Sequence, residues 1–327
     1  MLALIQSYRG IAAVLVVLYH AEAAAQQYFG ASWLGVFDFG RAGVQFFFVL
    51  SGYIIYYVHR EDVGTGAVAP YLKKRATRVY PLYVLVTLVL APVFFLVPSF
   101  GEPYHRDPAA LLMSLALIPQ GHQPHLAVAW TLVHEVIFYA LFATLILNRT
   151  VGRYVLGAWL AAVIVANVMT SDIPYPLAYL LSANNLLFGL GMLTAACQLR
   201  GGWPTFLLGN AAFLATGLIT QTNEGALVIL SYGLASAAIL STAASLDAYF
   251  KHRAMRALGD ASYAIYLTHY PAISVVCKIM SMLGIASTSI AFAISSLVAV
   301  IGGVAIHYWI EVPLLGFFRH RRRVQAA

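Results

Sequence analysis

Two basic-histidine and basic-basic spacings and one isolated carboxylate carry the chemistry this sequence could do. Arg9 and His20 are eleven positions apart, close to three helical turns. On a helix they would share one face, roughly 17 Å apart along the axis. A histidine titrates near neutral pH and can take a proton from a hydroxyl. Glu135 ends the stretch Ala129-Trp130-Thr131-Leu132-Val133-His134-Glu135, inside a long apolar run. A carboxylate there could orient an imidazole or stabilise the imidazolium. In Lys73-Lys74-Arg75-Ala76-Thr77-Arg78 the two arginines are three apart. On one side of a helical turn they make a two-guanidinium fork suited to phosphate oxygens. Taken singly, each has a plainer account: a hydrogen-bonded core histidine, a snorkelling arginine, the basic flank of a membrane span.

The elements that hold these residues follow from composition. Of 327 residues, 61% are hydrophobic and 9% are charged. Soluble domains carry about 25% charge, so a water-facing globule is excluded, and disorder is excluded by the hydrophobicity. At roughly 20 apolar residues per crossing, the chain has room for about ten helices. Apolar runs place them near 8–24, 41–58, 79–97, 126–148, 153–170, 178–197, 204–221, 225–245, 260–283 and 288–311. The run 108–118 is too short to cross and suits a re-entrant or interfacial piece. The expected fold is an all-α membrane protein, one integral domain over 1–327, with about ten transmembrane helices and the lipid bilayer as its surroundings.

Charge sets the expected orientation. With the N-terminus inside, the cytoplasmic segments hold Arg60, Lys73, Lys74, Arg75, Arg78, Arg149, Arg153, Arg200, Lys251, Arg253, Arg256, Arg319, Arg321, Arg322 and Arg323. These are 15 of the 19 basic residues. The positive-inside rule then puts both termini in the cytoplasm. It also accounts for the net charge of +7 without calling on nucleic acid as a partner. The longest polar loop, 59–78, is cytoplasmic. Residues 99–125, with Tyr104, His105, His122 and His125, fall on the other side. The three histidines lack tight ligand spacing, so no metal is expected. Cys197 and Cys277 read as core residues in apolar stretches. A signal-peptide reading of 11–18 with Ala21-Glu22-Ala23 is weakened by the absence of a basic side chain in the first eight residues.

Ionisable residues inside spans are costly and point to function. Eleven of the twelve acidic residues fall in loops or within a turn or two of a predicted span end; Glu135 alone lies deep, about 14 Å along the helix from residue 126. His134, its neighbour, points about 100° away and reads as packing.

Six segments in order resemble the acyltransferase 3 family of integral membrane acyltransferases. They are Arg9 to His20; Gly43-Val44-Gln45-Phe46-Phe47-Phe48-Val49-Leu50-Ser51-Gly52-Tyr53; Arg75 and Arg78 followed by Tyr80-Pro81-Leu82-Tyr83; Trp130, Leu132, Glu135 and Phe138-Tyr139; Leu258-Gly259 through Ser262-Tyr263, Tyr266-Leu267, His269 and Pro271; and Glu311-Val312-Pro313. The resemblance implies transfer of an acyl group, commonly acetyl, from cytoplasmic acetyl-CoA to a hydroxyl of a polysaccharide or lipid-linked glycan, in the bacterial inner membrane. The branch that acetylates exopolysaccharide looks most similar.

Within that reading His20 is the expected general base and Glu135 its orienting or relay partner. Arg9, Arg75 and Arg78 would hold the phosphates of the donor, its arm threading upward toward His20. Ser51, Trp130, Tyr139, Tyr263, Tyr266 and His269 could supply an oxyanion donor or simply pack. Glu311 is expected to end the last span and pair with a cytoplasmic base. A rival from another class is a glycan transporter or flippase. Composition and span number fit it equally, and Asn184-Asn185 with Gly189-Leu190-Gly191 could be a broken transport helix.

Overall fold

The computed structural model describes residues 2–30, 35–97, 100–169, 173–220 and 225–324. Among them every regular element is helical. The main helices are α1 (Ala3–Phe29), α2 (Gly43–His59), α3 (Val68–Leu96), α4 (Pro108–Leu115), α5 (Trp130–Leu147), α6 (Arg149–Met169), α7 (Leu177–Leu180), α8 (Asn185–Ala196), α9 (Trp203–Ile219), α10 (Ala226–Ser241), α11 (Ala243–Leu246), α12 (Arg253–Met282), α13 (Thr288–Ile306) and α14 (Val312–Val324). A π-helical turn, His307–Glu311, joins the last two.

Each of the ten predicted spans falls on helix: 178–197 on α7 and α8, 225–245 on α10 and α11, 288–311 on α13 and the π-helical turn, and the rest mainly on one helix each. Among the described residues seven stretches are long and apolar enough to cross a membrane, fewer than the ten expected, and an eighth is reached if Ala226–Ser241 and Ala243–Phe250, bent by 46°, count as one broken span. Helix α9 is apolar but 17 residues long. Helix α12 carries Arg253, Arg256, Asp260 and Lys278. The chain is a multi-pass membrane protein. Helix α4 has eight residues, about 12 Å, far short of a bilayer core of about 30 Å. Asp107 caps it through Ala109 N at 2.9 Å, and Pro108 fills its first position, a favoured start.

Two boundaries differ from expectation. The polar loop 59–78 is mostly helix, because α3 begins at Val68. Lysine and arginine are good helix formers, so the basic run becomes the first turns of α3 and holds Arg75 and Arg78 at helical spacing. Helix α1 continues five residues past its predicted end, to Phe29. Gly30 stops it at φ 79, returning its N–H to Gln26 O at 2.9 Å, the left-handed stop that glycine favours. The overrun leaves Glu22 two turns from the helix end and buried, where its carboxylate accepts from Phe37 N at 2.9 Å. Cys277 is buried, as expected, whereas Cys197 is exposed just past the last turn of α8.

The chain forms two compact units, Met1–Tyr57 with Leu187–Trp309, and Val58–Leu186 with Ile310–Ala327. In the first, α1 packs along α12 and α13 through small and β-branched residues: Ala13, Val17, Ala21, Ala261, Ile265 and Ala299. Gly259 allows the closest approach, since a Cβ there would collide with Gln6 O; a Cβ on Gly10 would come within 2.8 Å of Leu258 Cβ. Small residues bring membrane helices together this way. In the second unit α5 packs on α6 and α3, and α3 also meets α14.

Within the second unit, residues 100–126 are held by rings. Phe94, His105, Tyr104 and His122 stack in sequence at centroid separations of 4.1, 4.1 and 3.9 Å. His105 Nδ1 accepts from Glu102 N at 2.9 Å, and His125 Nε2 lies 3.1 Å from His105 O. Burial lowers the pKa of both His105 and His125 from 6.5; nearby histidines act in the same direction. Unfolding this segment therefore takes up protons at acid pH. The stability these residues contribute is full above 6.5 and is lost as pH falls through 6.5 toward the lower folded values. The protection factors of amides in 100–126, which allow for the slower intrinsic exchange in acid, should fall as pH drops below 6.5, ahead of those in the helix cores. Uniform protection over that range would refute the dependence.

Candidate active site

The crossing of α1 and α12 in the first unit sets His20 against His269. Both hydrogen bonds of His20 among the described residues use Nδ1, to Val16 O at 3.0 Å and to His269 Nε2 at 3.2 Å. His269 is fully buried, and its Nδ1 lies 2.7 Å from Tyr266 O. A carbonyl oxygen only accepts, so neutral His269 carries its proton on Nδ1 and offers Nε2 as a lone pair. His20 then carries its own proton on Nδ1, shared between Val16 O and His269 Nε2. Its Nε2 is the atom left to receive a proton. An imidazolium formed there would keep a donated Nδ1–H to His269, the kind of orientation a catalytic histidine draws from a neighbour.

Arg9 lies three turns before His20 on the same helix. Its Nη1 donates to Gln6 Oε1 at 2.9 Å, and Gln6 Nε2 in turn donates to Asp260 Oδ1 on α12. The N-terminus of α1 is tied down as well: Ala3 N and Leu4 N both donate to Asp247 Oδ1, a carboxylate at the positive end of the helix.

The second unit holds Arg75, Arg78 and Glu135. Arg78 Nη1 makes an ion pair with Glu311, whose side chain is 1% exposed against 34% for Arg78. Glu311 thus pairs with a base from the basic run, as expected, but it does not end the last span, which continues as helix through the π-helical turn into α14. Glu135 Oε1 accepts from Tyr139 Oη at 2.5 Å, one turn along α5. Arg75 and Glu135 lie near enough to act electrostatically on the hydroxyls of both Tyr71 and Tyr139. The structure therefore brings Glu135 to the arginine run within this unit, and His20 to His269 within the other.

His134 is buried, with Nδ1 3.0 Å from Asn185 Oδ1. Asn185 Nδ2 donates to Tyr179 O and Leu180 O, carbonyls exposed where α7 ends. Trp159 Nε1 also donates to Leu180 O, and Asn167 Nδ2 to Leu181 O. At the helix break 181–184, the feature that could be a broken transport helix, the carbonyls of Tyr179, Leu180 and Leu181 are satisfied by side chains of this chain, while Asn184 Oδ1 is buried without a partner among the described residues. Sequence reasoning missed Tyr71 altogether and gave His269 only a place among possible oxyanion donors. The place of His269 in the late-span segment that resembles the family was the available signal for the latter.

A family model described as an acyltransferase domain matches residues 5–309. The chain belongs to the acyltransferase 3 family. This acyltransferase is 33% identical over 299 residues to exopolysaccharide production protein ExoZ of Rhizobium meliloti, covering 88% of this chain and 93% of that protein. It is 27% identical to acyltransferase MdmB of Streptomyces mycarofaciens, over 98% of this chain and 93% of that one. Protein 2 in the picA locus of Rhizobium radiobacter is 30% identical over 181 residues, 49% of this chain and 91% of that protein. No solved structure matches it.

Proposed function

We propose that this membrane acyltransferase moves an acetyl group from cytoplasmic acetyl-CoA to a hydroxyl of an exported or lipid-linked glycan, in the bacterial plasma membrane with both termini inside. Family membership over residues 5–309 carries the reaction class. The similarity to a protein named for exopolysaccharide production supports a glycan acceptor. The proton chemistry rests on His20, whose Nδ1 is committed and whose Nε2 is not.

In this reading Nε2 takes the proton of the acceptor hydroxyl as its oxygen attacks the thioester carbon. The tetrahedral intermediate collapses, the carbon–sulfur bond breaks, and the departing CoA thiolate takes the proton back from the imidazolium. Arg9, Arg75 and Arg78 are proposed as contacts to the donor, Arg9 and Arg78 through its phosphates. Each is proposed on the chemistry of its own surroundings. Glu135 is the deep carboxylate that, with Tyr139, supplies a second proton-holding pair. Against the transport alternative, Asn185, Trp159 and Asn167 donate to the carbonyls at the end of α7.

Purified protein in nanodiscs should bind acetyl-CoA and release CoA slowly, and a deletion strain should lose O-acetyl groups from a surface glycan. Absence of both acetyl-CoA binding and any change in glycan acetylation would defeat the proposal.

A further inference from the structure

On α3, Tyr71 lies one helical turn before Arg75 and two before Arg78, so the three share a face. Tyr71 is 1% exposed. Its ring is fixed edge-on to His59 at 5.0 Å and against Phe142 at 5.6 Å and Tyr139 at 6.5 Å. Its hydroxyl nevertheless has no hydrogen-bond partner among the described residues, and neither does the buried Nε of Arg75. Unpaired buried donors are rare and costly, and each calls for an explanation. Two of them a single turn apart, on the helix that carries the arginine pair, point to one shared acceptor.

The surrounding charge decides what that acceptor is. Glu135 and Arg75 both act on the Tyr71 and Tyr139 hydroxyls, so the carboxylate offsets the guanidinium locally. Arg78 has its own carboxylate in Glu311. A phosphate brought beside Arg75 would meet the charge of Glu135, whose partner Tyr139 packs against Tyr71, and like charges repel. An uncharged carbonyl oxygen has two lone pairs, accepts from both donors and suffers no such repulsion.

We propose that Tyr71 Oη and Arg75 Nε together hold an uncharged carbonyl oxygen on the arm of the acyl donor, its thioester or an amide, rather than a phosphate. The inference rests on the acyl-CoA reading above and assigns a donor contact to Tyr71, a residue outside the recognisable sequence motifs.

The experiment compares Tyr71→Phe with wild type for three probes: acetyl-CoA, CoA, and 3′,5′-ADP, which carries phosphates without the arm. Tyr71→Phe should weaken acetyl-CoA binding by about five- to tenfold, the loss of one hydrogen bond, and leave 3′,5′-ADP unchanged. An equal loss on CoA assigns the contact to an amide, and a loss confined to acetyl-CoA assigns it to the thioester; both support the proposal. An equal loss on 3′,5′-ADP, or none on any probe, overturns it. Thermal melting gives a second readout. Without ligand Tyr71→Phe should melt at or above wild type, because an unpaired hydroxyl has been removed, while its acetyl-CoA-induced shift shrinks. A lower melting temperature without ligand would reveal a structural partner for the hydroxyl and overturn the proposal. Wild type that fails to bind acetyl-CoA defeats the acyl-CoA reading itself; wild type that binds, with Tyr71→Phe unchanged, defeats only this inference.

Discussion

His20→Ala should lower acyl transfer by about 10²–10⁴-fold, the range for loss of a positioned general base, with acetyl-CoA affinity within about twofold of wild type. The selectivity follows from geometry. Among the described residues the hydrogen bonds of His20 use Nδ1 alone, to Val16 O and His269 Nε2, so truncation removes the proton acceptor without uncovering a buried charge. His269→Leu tests the orientation separately. It removes the lone pair that receives His20 Nδ1–H, and it should lower kcat less than His20→Ala while displacing the acid limb of the pH–rate profile. A merely structural His269 would lower the amount of folded protein and leave that profile where it was. Transfer at the wild-type rate by well-expressed His20→Ala would remove His20 from the mechanism.

Much of this arrangement is visible in the sequence because lipid imposes a simple rule. Runs of about 20 apolar residues must be helical to satisfy their backbones, so every predicted span lies on helix, 178–197 and 225–245 each across a break, seven or eight stretches among the described residues are long and apolar enough to cross, and the short run at 108–118 becomes the eight-residue α4. The arginine spacing is also legible, since a helix fixes i, i+3 neighbours wherever it lies. Helix ends are harder to read. Glu22 is buried because α1 overruns its apolar core through Ala23-Ala24-Ala25-Gln26-Gln27, residues that favour helix without being strongly apolar. The basic run before Val79 is helical for the same reason.

Pairings across the chain are not legible. His20 and His269 are 249 positions apart, and only the close crossing permitted by Gly10 and Gly259 brings their helices together. The glycines are plain in the sequence, but the partner each requires is not. Tyr71 illustrates a different limit. One tyrosine among twenty carries no signal by type, and it becomes distinctive only when burial and an unpaired hydroxyl are known. Glu135 stood out by predicted depth, yet Tyr139, which donates to it, is a local i, i+4 neighbour that helical spacing alone allows.

Arg78→Ala should destabilise the protein by about 3 kcal/mol, the lower end of the cost of stripping one member from a buried pair. The lower end applies because Arg78 is itself one-third exposed, whereas Glu311 is 1% exposed. The buried carboxylate, not the lost guanidinium, dominates that cost. Adding Glu311→Gln removes the stranded charge, so the double variant should recover most of the melting temperature. Donor affinity should behave differently. If Arg78 also faces the phosphates, binding of acetyl-CoA and 3′,5′-ADP falls in Arg78→Ala and stays low in the double variant, because nothing restores a cation. If the arginine serves only to neutralise Glu311, affinity returns with stability. The cycle therefore separates two roles that a single substitution confuses, and it does so for the residue whose sequence motif argues for phosphate and whose structure argues for an ion pair. Glu311→Gln alone is the control: it keeps a hydrogen-bond acceptor for Arg78 and frees charge toward a ligand, so it should hold 3′,5′-ADP at least as tightly as wild type. Weaker 3′,5′-ADP binding in that variant would mean that Glu311 fixes Arg78 in its binding geometry, and would tie the two functions together.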